Sequence, residues 1–383
     1  MAGKRYLLTP GPTPVPPEVL AAMAQPVVHH RGPDFRVLYE RCLGRLREVC
    51  RTSADVLLFA ASGSGAMESV VANLTEPGDR VLVASAGYFG ERWGQIARVH
   101  GCTVEELRYE WGETPTADDL AARLAELGGA SLVLLTQSET STGVVCDVRT
   151  LAAAAKEAGA LVGVDAVSSL GALPLETDEW GLDAVASGSQ KALMTPPGIG
   201  LVAVSEGGFA AAKPARSFYF DWKRTRAAQA RLDAAFTPAV SLVAGLDVAL
   251  GLLLERGLET AFEHHVMLGR ACREGLKAMG LELFSPDEDR SAVVTAARMP
   301  AGLDADELVL ALRDRFGVTI AGGQGPLKGK IFRIGHIGWF DLFDITTALA
   351  AVELVLADRG ADIERGVAVT RALEAFTEGA RVR

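Results

Sequence analysis

The sequence predicts an α/β protein, with a mostly parallel sheet covered by helices on both faces and a smaller C-terminal α+β domain after it. Two observations predict this. Short β-type runs, apolar throughout, alternate with Ala-rich helical patterns, as strands buried on both faces do. Near Leu258 the regime changes, and helical segments begin to flank two isolated β-type runs. The 383 residues, 49% hydrophobic and 22% charged, give enough chain for two or three packed domains. An all-helical bundle fits poorly, because the β-branched runs are too short and too regularly spaced to be helices.

Taken in order, the chain opens with TPGPTPVPP from Thr9 to Pro17, five prolines in nine residues, which fixes an extended arm. Such an arm reads either as a surface linker or as a segment lying over a cleft or a partner subunit. A charged helical stretch follows from Phe35 to Arg51. Val56–Ala61 then reads as a strand leading into a Gly-rich turn and a helical pattern from Met67. Arg80–Ser85 leads into the helical Arg92–Val99, and Ser131–Gln137 precedes the helical Thr150–Gly159. Leu161–Val167 and Asp183–Gly188 complete the strand set. The long apolar segment Val240–Leu254 bridges to the second regime. There, helical His264–Met279 and Ala305–Phe316 flank the β-type runs Ser291–Arg298 and Lys330–Ile337. These boundaries predict an arm over residues 1–19, a large domain over 20–257 and a small domain over 258–383.

Charge and composition narrow the function. With 38 Lys plus Arg against 48 Asp plus Glu, the net charge is −10, and no block of like charge stands out, which argues against broad nucleic-acid or anionic-membrane binding. No apolar stretch reaches the roughly 18 residues of a membrane span, and prolines replace the apolar core of a signal peptide. The five cysteines are odd in number, widely spaced and without a C-x-x-C pair, which points to free thiols in a reducing cytoplasm. The six histidines show no metal-ligand spacing, so no metal is expected.

Three features carry chemistry. Ser62-Gly63-Ser64-Gly65 stands between a β-run and a helical pattern, where free N–H groups and two hydroxyls suit a phosphate; a plain strand-to-helix turn has the same pattern. Asp165 ends an apolar strand, where a carboxylate needs a cation or a ligand, or else serves as a cap. Lys191, in SGSQK, sits between an apolar strand and a Pro-rich loop, where desolvation would free a neutral amine; a surface lysine is the alternative. An anion cradle, a buried carboxylate and an activated amine at strand ends of one sheet match the phosphate, ring nitrogen and aldehyde of pyridoxal 5'-phosphate.

The PGP arm, SGSGAME, ETSTGV (Glu139–Val144), VDAVSSLG (Val164–Gly171), SGSQKAL and FRIGHIG (Phe332–Gly338) resemble the class V aminotransferases of PLP fold type I, in the alanine-glyoxylate and serine-pyruvate group. The resemblance runs from about Leu7 to about Leu356. It implies that Lys191 bonds the cofactor aldehyde and then shuttles a proton, while Asp165 pairs with the ring nitrogen. It implies further that Val167 and Phe89 enclose the ring, and that Gly63, Ser64, Gly65 and Gln190 hold the phosphate. Thr140 is to hydrogen-bond the 3'-oxygen, Thr237 to reach the phosphate from the neighbouring subunit of a homodimer, and Arg333 to grip the substrate α-carboxylate as a bidentate pair. Some relatives carry a tyrosine shortly before that threonine, where this chain has Ala234 and Phe236. His336 stands where others have an apolar residue, and reads as structural or as touching substrate.

The resemblance implies ping-pong transfer of an amino group from serine or alanine to glyoxylate or pyruvate. Other enzymes of the same fold remain as alternatives. A desulfurase needs a mobile cysteine in the C-terminal half, for which Cys272 is the candidate. Phosphoserine transamination needs a further basic pocket. An inactive cofactor-binding protein would have no reason to keep Lys191, Asp165 and Arg333 together.

Overall fold

A computed structural model describes residues 3–214 and 216–381. Its main sheet has seven strands: β1 (Asp55–Phe59), β2 (Arg80–Ser85), β3 (Thr103–Arg108), β4 (Leu132–Thr136), β5 (Leu161–Asp165), β6 (Ala184–Gly188) and β7 (Gly200–Val204). Their order is β1-β7-β6-β5-β4-β2-β3. β7 runs antiparallel to both its neighbours, and the remaining pairs are parallel.

The apolar runs are explained by burial on both faces. Leu132 and Leu134 of β4 join Val81 and Val83 of β2 in one core, together with Met67, Val70, Trp93 and Ala97 from the covering helices Gly63–Leu74 and Tyr88–Val99. Val133 and Leu135 join Leu82 and Ala84 in the opposite core, under helices Pro33–Cys50, Val148–Glu157 and Val240–Arg256. Alternate residues of one strand thus fill two cores, and no position is left for a polar side chain.

The strand Arg80–Ser85 and the helix Ala305–Phe316 fall on the expected residues, and the other expected elements are displaced by a few residues. The helix expected from His264 starts at Leu258, and the one expected from Arg92 starts at Tyr88. In the main sheet the sequence reading did not include β3 and β7, and it also lacked the helices Ala117–Leu127, Glu206–Ala211, Trp222–Gln229, Leu342–Asp358, Val367–Arg381 and Pro17–Met23, the last beginning where the extended arm was expected to run on to residue 19. Edge strand β3 reads TVEELR and is only half-buried, so its charges concealed it.

Past residue 258, β8 (Val294–Arg298), β9 (Ala321–Gly322) and β10 (Ile331–Gly335) form an antiparallel sheet in the order β8-β10-β9. Helices Leu258–Ala278, Ala305–Phe316 and Leu342–Asp358 share its core. Asp304 and Asp341 cap the second and third of these by accepting from N–H groups of the first turn.

The proline arm is no surface linker. Tyr6–Leu7 pairs in parallel with Val318–Thr319, and Leu8 is buried in the core of the C-terminal sheet. The chain then crosses to the large sheet. Thr13 N–H donates to Gln190 O at 3.1 Å, and Thr13 Oγ1 donates to Lys191 O at 2.8 Å. A Cβ on Gly11 would stand 2.3 Å from Lys191 Cδ, so only glycine lets the arm lie this close to the lysine.

Candidate active site

The C-terminal ends of β4, β5 and β6 and the start of the helix after β1 open onto one cleft of about 380 Å³. Open parallel sheets place their sites at this edge, because the helix starts there expose N–H groups. Gly63, Ser64, Phe89, Asp165, Val167, Gln190 and Lys191 line it, with Gly11 and Pro12 of the arm. A Cβ on Gly63 would stand 2.6 Å from Val167 Cγ2, so this glycine allows the helix start to close on the strand end.

Lys191 is 9% exposed and its Nζ donates to Pro10 O at 2.8 Å. Burial lowers its pKa from 10.5 to about 8, opposed by the charge of Asp165 and assisted by that of Arg333. Asp165 accepts from Val167 N–H at 2.8 Å, yet burial raises its pKa from 3.8 to about 7. No cation lies in salt-bridge contact with it among the described residues, so the carboxylate waits for a cationic partner.

This state has a testable consequence. With its folded pKa above its unfolded one, Asp165 binds a proton in the folded chain that the unfolded chain has released. Its contribution to stability is complete below about pH 4 and is lost as pH rises through about 7. In cofactor-free protein, wild type is therefore expected to lose a few kcal/mol relative to Asp165→Asn between those limits. Urea unfolding of both at each pH measures this, and parallel profiles would show that Asp165 titrates normally.

Arg333 lies on β10, 5% exposed, with Nε donating to Gly322 O at 2.9 Å and Nη1 to Thr140 O at 2.5 Å. Burial lowers its pKa to about 10, which leaves it charged at neutral pH. Its Nη2 has no protein partner among the described residues. Thr140 and Arg333 are not among the residues that line the cleft, and are joined to each other by that hydrogen bond. The Gly65 N–H is already used, donating to Ser62 O at 2.9 Å, which leaves the helix start to Gly63 and Ser64. Thr237 is exposed and lies outside the cleft, within a separate hollow beside Phe236 and Tyr39. His336 is fully buried, between Ala292 O at 2.9 Å and Thr295 Oγ1 at 3.0 Å, which gives it a structural place.

Several cleft residues escaped sequence reasoning. Arg92 lines the cleft and donates to Ser64 Oγ at 2.8 Å, with its guanidinium 4.8 Å from the centre of the Phe89 ring. From the sequence alone this arginine could not be placed in or out of the site. Ser138 and Ser168 also line the cleft. The oxygens Ser138 Oγ and Gln190 Oε1 are buried without a hydrogen-bond partner, as polar atoms reserved for a ligand would be. All five cysteines are free and buried, none lines this cleft, and burial pushes the Cys272 thiol up to about 12. That is the opposite of a mobile sulfur nucleophile.

The model of the family described as Aminotransferase class-V matches residues 5–329. The soluble hydrogenase 42 kDa subunit of Anabaena cylindrica is 40% identical, over 98% of this chain and 100% of its own. Two relatives are 34% identical: the L-aspartate-glyoxylate aminotransferase of Paracoccus denitrificans, over 99% of this chain and 98% of its own, and the serine-glyoxylate aminotransferase of Methylorubrum extorquens, over 97% and 95%. Among solved structures, the ureidoglycine-glyoxylate aminotransferase of Bacillus subtilis superposes with a TM-score of 0.94 at 33% identity, covering 98% of this chain and 99% of that one.

Proposed function

The chain belongs to the class V aminotransferases, and from that premise we propose that it moves the amino group of serine or alanine to glyoxylate or pyruvate, with pyridoxal 5'-phosphate as cofactor. The observation that carries the proposal is the meeting of Lys191, Asp165, Ser64 and Gln190 in one cleft. The residues present fit the cofactor. The unpartnered Ser138 Oγ, the buried Asp165 without a counter-ion in contact and the cation Arg92 are together what a phosphorylated pyridine would satisfy.

When bound, the cofactor supplies an electron sink and a carrier for the amino group. The N–H groups of Gly63 and Ser64, the Ser64 hydroxyl and the Gln190 amide would hold its phosphate, with Arg92 adding positive charge. Asp165 would pair with the ring nitrogen, Phe89 and Val167 would enclose the ring, and Thr140 would reach the 3'-oxygen. Lys191 Nζ, kept from full protonation by burial, takes the proton from the donor Cα. Arg333 grips the α-carboxylate and so sets which Cα bond faces the lysine. Pro10 and Gly11 cover Lys191 and keep water from it. The cycle is ping-pong: the donor's keto acid leaves before the acceptor enters.

We read residues 20–257 as the cofactor domain, 258–383 as the substrate-side domain and 1–19 as the arm between them. The exposure of Thr237 outside its own chain's cleft supports a homodimer in which this residue completes the neighbour's phosphate site. Five free, buried thiols support a cytoplasmic protein. No helix among the described residues is long and apolar enough to cross a membrane.

Glyoxylate is common to the names of the three aminotransferases compared above, while their donors differ. The small-donor reading rests on the arginines near the cleft. Arg92, the arginine among its lining residues, is engaged by Ser64, and Arg333, outside that lining, is assigned the α-carboxylate, which leaves no lining arginine for a distal acid. A panel of amino donors and keto acids on purified protein tests this. Serine or alanine with glyoxylate or pyruvate is expected to exceed aspartate and glutamate by about tenfold or more in kcat/KM. Aspartate as the best donor would overturn the small-donor reading.

A further inference from the structure

The mechanism proposed above leaves the buried acid Glu139 unused. Glu139 is 1% exposed, directly before Thr140, and its side chain meets three backbone N–H donors and the Ser141 hydroxyl. Its Oε2 accepts from Phe89 N–H and Gly90 N–H, both at 2.9 Å. Its Oε1 accepts from Ser141 N–H at 3.1 Å and from Ser141 Oγ at 2.5 Å, and Ser141 Oγ in turn accepts from Tyr88 N–H at 3.1 Å.

Helix Tyr88–Val99 explains the arrangement. Its N-cap is Gly87, which has no side chain to offer, so the first N–H groups of the helix need acceptors from elsewhere. The segment Glu139–Ser141 supplies them, and the carboxylate also meets the partial positive charge of the helix start. A Cβ on Gly87 would stand 2.6 Å from Glu139 Cγ, so the missing cap side chain is also what admits Glu139. The helix held in this way carries Phe89 and Arg92 into the cleft, while the Thr140 carbonyl on the same segment holds Arg333 Nη1.

We propose that Glu139 is a positioning residue that locks the cofactor-facing ring of Phe89 and the carboxylate-binding Arg333 into one frame. The inference rests on the roles proposed above for Phe89 and Arg333. A carboxylate is required chemically. Glutamine offers one acceptor oxygen, so its amide N–H₂ would face either the Phe89 and Gly90 N–H groups or the Ser141 donors. Turned toward the helix, the amide leaves the Phe89 and Gly90 N–H groups without an acceptor; turned toward Ser141, whose hydroxyl can accept, it still leaves the Ser141 N–H without one. Because Arg333 serves both half-reactions, the effect reaches donor and acceptor alike.

The test uses the cofactor-loaded enzyme with Glu139→Gln, and Gly87→Ala as a second variant that displaces the carboxylate without removing it. KM for donor and acceptor is expected to rise by about 10- to 100-fold, with kcat changing much less, as misplacement of a binding group predicts. The affinity for 2-methylalanine, which has no Cα hydrogen to lose, should fall by the same factor, and the visible circular dichroism of the bound cofactor should change. A structural role alone would lower the folded fraction and leave KM and the dichroism of that fraction unchanged. Either variant showing that pattern overturns the proposal. Wild type that turns over no donor would instead overturn the function reading, so the two failures are distinguishable.

Discussion

Lys191→Ala is expected to abolish transamination, lowering turnover by at least about 10⁴-fold, because in the proposed mechanism it removes both the amine that bonds the cofactor and the base at the donor Cα. The lysine is buried, with no carboxylate in salt-bridge contact among the described residues, and Nζ has only the Pro10 carbonyl to donate to. A buried cation without a counter-ion lowers stability, so its removal should not unfold the chain. The variant is therefore expected to unfold at a denaturant midpoint no lower than that of cofactor-free wild type. Loss of activity with retained folding separates a chemical role from a structural one. Absorbance gives an independent readout: wild type should show a visible band that borohydride bleaches, and the variant should show no such borohydride-sensitive band. A variant that turns over at the wild-type rate would remove Lys191 from the chemistry altogether.

The residues that were legible in the sequence share one property. Asp165 and Lys191 each follow an apolar run closely enough that local sequence alone implies burial, and a charge implied to be buried asks for a reason. Glu139 gave no such sign. It stands among Ser138, Thr140, Ser141 and Thr142, a composition that reads as a solvated loop, and its four donors come from its own segment and from a helix start some fifty residues away. Arg92 was hidden differently, on a helix with both polar and apolar faces, where charge normally marks the outer side. The proline arm could be read as extended, but its course over Lys191 depends on Gly11 and Thr13 meeting residues almost 180 positions later. For the sheet the same logic holds. Strands filled from both faces announce themselves, whereas β3 is half-buried at the edge and its charges could belong to any surface segment.

Arg333→Ala is the second change with a large expected effect. On the role proposed for Arg333, it would leave the substrate carboxylate unpaired in a desolvated pocket, and should cost about 2–5 kcal/mol in transition-state binding, as truncation of other buried charge pairs does. The guanidinium is already oriented, with Nε on Gly322 O and Nη1 on Thr140 O, so the edge left for a ligand is fixed before substrate arrives. Arg333→Lys should recover little of the loss, because an ammonium presents neither the planar pair of N–H groups nor the two backbone anchors at once. The loss in kcat/KM should be nearly equal for serine, alanine and any other amino donor, since all share the α-carboxylate, and it should extend to the keto acids of the second half-reaction. If Arg333→Ala instead spared serine and alanine and harmed only acidic donors, the arginine would be reading a side-chain carboxylate. The α-carboxylate role and the small-donor assignment would then fall together.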